Sequence, residues 1–142
     1  MAEASARKQS VRRAASCACG AFKITTVGEP VRVHACCCLN CQKETGSAFS
    51  YSAFFPEAAV TVDGDFNRWG QDMGSGQGGE NWFCPTCGTR VALYMEGLPG
   101  VLGISVGCFA EPSFPAPQTI FWWKRHHRWL TVPSGVATHE TQ

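Results

Sequence analysis

Cys17-Ala18-Cys19-Gly20 lies near the start of the chain and Cys84-Pro85-Thr86-Cys87-Gly88 lies past its middle; taken together, the two stretches decide the fold. Two short-spaced cysteine pairs far apart in sequence are the usual signature of a closed four-thiolate zinc site. In an extended strand alternate side chains share a face, so Cys17 and Cys19 present both sulfurs to one side. Cys84 and Cys87, on a tight turn, can converge on the same ion at about 2.3 Å per Zn–S bond. The first strand is thereby tied to a hairpin more than sixty residues later. A structural zinc supplies roughly 10–16 kcal/mol of apparent folding energy, comparable to a domain's whole net stability. Buried free thiols or disulfides are the alternatives for these four residues.

Between the pairs stands Cys36-Cys37-Cys38-Leu39-Asn40-Cys41. Alternation puts Cys36 and Cys38 on one face and Cys37 on the other, and Cys41 completes a set of three thiolates. His34 is read as pointing off the Cys36/Cys38 face, and no fourth ligand is evident. An open fourth position is what a catalytic zinc needs. Three thiolates leave Zn²⁺ with a net charge of −1, which disfavours water activation and suits an incoming thiol. A distant fourth ligand, giving a second structural site, and packed metal-free thiols are the competing interpretations.

Nine cysteines among 142 residues, with no apolar stretch after the basic residues Arg7, Lys8, Arg12 and Arg13, argue for a reducing compartment, and a cytoplasmic location is expected. Seven of the nine fall into the two groups, leaving Cys37 and Cys108. The chain is 44% apolar and 16% charged, which is globular. No run approaches the roughly 18 apolar residues needed to span a bilayer, so no membrane partner is expected. A net charge of +1 supplies no field for nucleic acid, which is disfavoured as a partner. The length sets one domain, preceded by a disordered basic arm over residues 1–16, extending over 17–132, and followed by a flexible tail over 133–142.

Within it the signal is β. Phe22 to Thr26 and Val31 to His34 alternate around Gly28-Glu29-Pro30 and suggest a hairpin with metal ligands at both ends. Further extended runs are Ser47–Phe55, Ala58–Val62, Phe66–Gly70, Thr89–Met95, Val101–Cys108 and Thr119–Leu130, separated by turn signals such as Asp63-Gly64 and Glu96-Gly97. Gly74 to Gly79 reads as a loop. Leu39 to Thr45 is the one candidate helical turn, ended by Gly46. The run Phe121 to Trp129 suggests a strand with one aromatic face inward; a base-stacking platform is its alternative. The spacing predicts an all-β sandwich of short antiparallel strands with zinc knuckles.

Cys17-x-Cys19-Gly20, Cys36-x-Cys38-x-x-Cys41-Gln42-Lys43-x-Thr45-Gly46 and Phe83-Cys84-x-x-Cys87-Gly88, with Val106-Gly107 and Trp129, resemble the glutathione-dependent formaldehyde-activating enzyme family, which includes the centromere protein V relatives. The resemblance spans about Cys17 to Trp129. It implies an Mss4-like all-β fold, a structural zinc on Cys17, Cys19, Cys84 and Cys87, and a second zinc on Cys36, Cys38 and Cys41. The activity it implies joins formaldehyde to the thiol of glutathione, giving S-(hydroxymethyl)glutathione. The chain departs from the family pattern at Ala18, Cys37 and Cys108-Phe109-Ala110.

A zinc-dependent carbon–sulfur lyase acting on a thiol–aldehyde adduct is the leading reading, with Lys43 offsetting the site's negative charge or meeting a substrate carboxylate. A non-catalytic zinc-stabilised interaction module is the alternative, and a thiol redox enzyme using Cys37 or Cys108 is a third. A homodimer is compatible with the sequence, which identifies no general acid.

Overall fold

The computed structural model of the chain describes residues 3, 11–73 and 77–142. Eleven strands and one short α-helix are laid out among them: β1 (Arg12–Ser16), β2 (Lys23–Val27), β3 (Arg32–Cys36), α1 (Leu39–Thr45), β4 (Ser50–Pro56), β5 (Val60–Asp63), β6 (Asn67–Met73), β7 (Gln77–Phe83), β8 (Arg90–Met95), β9 (Val101–Ser105), β10 (Thr119–Phe121) and β11 (Ala137–Thr138). They form a small sheet in the order β1-β2-β5 and a large one in the order β11-β10-β3-β4-β9-β8-β7-β6. The all-β class expected from the strand spacing holds.

Pairing register assigns a job to each face of the large sheet. Val33, Ala53, Ile104, Ala92 and Trp82 are neighbours across five strands. They pack with Ala15, Phe22 and Ile24 from the small-sheet region as the main core. Because side chains alternate, the residues one step along must face the other way. That second face carries His34 and Cys36 beside Ser52 and Ser50, and Phe54, Gly103, Leu93 and Asn81 farther across. Gly103 is needed there: a Cβ would lie 2.8 Å from both Leu93 Cδ2 and Phe54 Cε1.

Several expectations need correction. The segments expected as an arm over residues 1–16 and a tail over 133–142 both contain strand residues whose backbone groups have partners. Residues 12–16 form β1, paired throughout with β2, and Ala15 is fully buried; most of residues 1–10 lie outside the described residues. The tail contributes β11, which pairs with β10. β2 and β3 are not a hairpin; each finds partners in a different sheet. Two pairings, β10 with β3 and β11 with β10, are parallel, so the sandwich is not wholly antiparallel.

The run from Thr119 leaves extended geometry at Trp122, whose φ is +56°, and turns into a 3-10 helix, leaving Trp129 69% exposed instead of packed inward. Part of the glycine-rich stretch is strand: Gln77 to Gly79 open β7, while residues 74–76 lie outside the described residues. Gly, Glu and Asn are poor strand formers, and β7 is held by pairing on both sides.

Candidate metal centres

The first cysteine cluster forms where the end of β1 meets the turn after β7. Cys17 Sγ accepts the Phe22 N–H at 3.2 Å, and Gly20, at φ +82°, closes the turn by donating to the Cys17 carbonyl. The second knuckle repeats the device: Cys84 Sγ accepts the Thr86 N–H at 3.4 Å, and Gly88, at φ +75°, donates to the Cys84 carbonyl. Only glycine adopts such positive φ without strain, which accounts for Cys-Gly at both knuckles. The four sulfurs lie within 4.8 Å of one another, with Cys17 to Cys19 at 3.6 Å and Cys19 to Cys84 at 3.7 Å. A tetrahedral zinc with 2.3 Å bonds needs sulfurs roughly 3.8 Å apart, so the set fits that ion. Charge is unevenly divided in the set: Cys87 is pulled down to about 5, chiefly by the Thr89 hydroxyl, whereas Cys19, despite a lowering backbone hydrogen bond from Ala21, is pushed up to about 11 by its bond to the Cys17 thiol.

The second cluster is built by a strand end and a helix cap. Cys36 ends β3, Cys38 is the N-cap of α1 with its Sγ accepting the Cys41 N–H at 3.3 Å, and Cys41 sits in the first turn. Gly46 ends the helix in the left-handed region, as its sequence position predicts. The three sulfurs again lie within 4.8 Å of one another. Cys38 is drawn down to about 3 by bonds from the Cys36 and Cys41 thiols, helped by the Cys41 and Asn40 N–H groups against burial. Cys36 is pushed up because it donates to Cys38 and Cys41 and is buried. Negative charge therefore concentrates on Cys38. Cys37 points into a separate apolar cluster with Ala35 and Ile120 and has no exposed surface, as alternation requires.

A cavity of about 30 Å³ opens beside the three thiols. His34 lines it, contrary to the expectation that it points away: positions 34 and 36 share a face in β3. Burial, with Arg32 nearby, lowers the His34 imidazole to about 4, so it is neutral, and it packs on Phe54 at 4.7 Å and edge-on to Phe121 at 5.2 Å. Ser50 and Ser52 line the floor, and Ser50 hydrogen-bonds Cys41. Lys43 is exposed on α1 and is not among the lining residues. The cation at the cavity is Arg90, whose Nη1 donates to Glu44 at 2.7 Å and to Asn81 at 3.3 Å. Asn81 in turn donates to Glu44 at 3.0 Å. No sequence spacing links residues 44, 81 and 90, so this network had no signal in the chain.

Each cluster could thus hold a metal ion, one with four sulfurs and one with three facing a cavity. No helix among the described residues is long and apolar enough to cross a membrane. No curated protein matches the chain. A solved crystal structure of a Rhodobacter sphaeroides protein shares its fold at a TM-score of 0.55 and 20% identity, covering 89% of this chain and 99% of that one. The profile described as "Glutathione-dependent formaldehyde-activating enzyme" matches residues 12–125, a span that contains both clusters, and the chain belongs to that family.

Proposed function

We propose that the protein is a zinc-dependent carbon–sulfur lyase that joins formaldehyde to a small thiol, glutathione by family, and reverses that reaction. The observation that carries this reading is the contrast between the clusters: Cys17, Cys19, Cys84 and Cys87 form a complete donor set, whereas Cys36, Cys38 and Cys41 supply three sulfurs with a cavity beside them. Zinc on the first set is structural. Zinc on the second would lower the pKa of an arriving thiol.

The reaction is RSH + CH₂O → RS–CH₂OH: the S–H bond breaks, a C–S bond forms, and the carbonyl oxygen takes up a proton. Around that step the chain supplies positioning. Ser50 orients Cys41, neutral His34 adds no charge to the floor, and the Arg90–Glu44 pair leaves the wall electrically balanced. The net negative charge stays on the thiolates, which argues against water activation. A cytoplasmic location is consistent with nine cysteines.

A thiol redox role for the two remaining cysteines is poorly supported. Cys37 is fully buried, and burial raises Cys108 to about 11, so neither is a ready nucleophile. A non-catalytic module remains the second reading, favoured by the small size of the cavity.

Cobalt substitution tests the proposal, since the thiolate-to-cobalt band reports sulfur count. Millimolar glutathione should add one sulfur to the second site and leave the first unchanged, and exchange between free and hydroxymethylated glutathione should accelerate in NMR. A second site that already carries four sulfurs, or that ignores every small thiol, would sink the enzyme reading.

A further inference from the structure

The family match ends at Arg125, yet Gln142 is one of the residues lining the cavity beside Cys36, Cys38 and Cys41. The path between these positions is fixed by backbone hydrogen bonds. The Ala137 N–H donates to Gln118 O at 3.1 Å and the His139 N–H to Ile120 O at 3.0 Å. The Trp123 N–H returns to His139 O at 2.9 Å, and the Trp122 N–H reaches Thr141 O at 3.5 Å. His139 also stacks on Phe121 at 5.5 Å, and Phe121 meets His34 edge-on at the cavity. Residues 137–142 therefore run along the outer edge of β10 and bring Gln142 to the cavity beside the triad.

The space at the triad, lined on one side by Gln142, is about 30 Å³. A water needs roughly 10–15 Å³ of such volume, so this partly open cavity has room for a sulfhydryl or a one-carbon aldehyde, and the bulk of a tripeptide must stay at its mouth, beside Gln142. The anchoring is light, because residues 139–142 are exposed on their outer side and their bonds lie at a sheet edge. Bonds of that kind open locally at low cost.

We propose that residues 139–142, with Gln142 at the cavity, form a strap that selects thiols by size: small thiols reach the triad past it, and glutathione reaches it only when the strap lifts. This rests on the reading that a thiol engages the second cluster, and it assigns a selecting element to residues outside the matched family region.

The test compares the full chain with a variant lacking residues 139–142 and with Gln142→Ala. In the cobalt form, stopped-flow absorbance follows arrival of glutathione and of 2-mercaptoethanol. Removing the strap should speed glutathione about tenfold and 2-mercaptoethanol by no more than about twofold, since the observed rate scales with the open fraction only for the ligand that needs opening. Gln142→Ala should fall between the full chain and the deletion. A separate arm needs neither zinc nor thiol binding: mass spectrometry follows, residue by residue, the reaction of Cys36, Cys38 and Cys41 with 5,5′-dithiobis(2-nitrobenzoate), a bulky aromatic disulfide. That rate should also rise about tenfold on deletion.

Equal acceleration of both thiols would overturn selection by size. Unchanged labelling in both variants would overturn the strap itself. If no thiol perturbs the cobalt spectrum of any variant, the lyase reading falls, and the labelling rates alone decide whether the segment covers the triad.

Discussion

Arg90 Nη1 lies 2.7 Å from Glu44 Oε2, with both side chains nearly buried at 11% and 7% exposure. Arg90 opens β8 just after the Cys84–Cys87 knuckle, and Glu44 belongs to the helix that carries Cys41, so this ion pair links the two cysteine clusters. Breaking one side of a buried pair leaves the other charge without its counter-ion. Arg90→Met or Glu44→Gln should therefore each cost about 3 kcal/mol, and the double variant should cost less than either single one. Urea denaturation of the three variants checks this; additive losses would mean that the pair is not coupled.

Cys38 both offers a sulfur and caps α1, and two substitutions separate the roles. Serine is a good N-cap, so Cys38→Ser should stay folded while metal content falls from two ions to one. Cys38→Ala loses the cap as well and should be about 1 kcal/mol less stable than the serine variant. Elemental analysis alongside thermal melting reads both effects. Collapse of the fold in Cys38→Ser would make the triad structural.

Loss of the first cluster should be far more damaging. Cys87→Ser removes one sulfur of a set that could hold a metal and that joins residues near the start of the chain to the β7–β8 turn, and a domain has only about 5–15 kcal/mol to lose. Unfolding or insolubility is expected. Native circular dichroism with an unchanged melting temperature would end the cross-chain metal assignment.

Cys108 titrates late because burial opposes its charge, with the thiol raised from 9.0 to about 11. In the window from about 9 to about 11 the unfolded chain loses this proton before the folded one does, so the contribution of Cys108 makes stability fall as pH rises there. Below a pH of about 11 the native thiol should resist iodoacetamide, with a rate still climbing about tenfold per pH unit between about pH 9 and 10. Peptide mapping after timed alkylation measures it. A plateau by pH 9 would show an unperturbed thiol.

What the sequence determined by itself was the chemistry that is local or periodic. Cysteine spacing with a following glycine marked both knuckles, strand alternation separated Cys37 from Cys36 and Cys38, and Gly46 marked the end of the helix. The same alternation rule, applied one step further, places His34 beside Cys36, so the position of that residue is legible in the chain. Tertiary structure alone decided which distant segments meet. β7 exists because two neighbours supply partners for a sequence with weak strand preference, and β10 and β11 exist because β3 offers a parallel edge. Arg90, Glu44 and Asn81 come together, and Gln142 comes to line the cavity beside the triad, through sheet register and backbone bonds formed between distant parts of the chain. Such contacts gain their free energy from pairing and burial between remote residues, and no local pattern encodes which remote residue will be the partner.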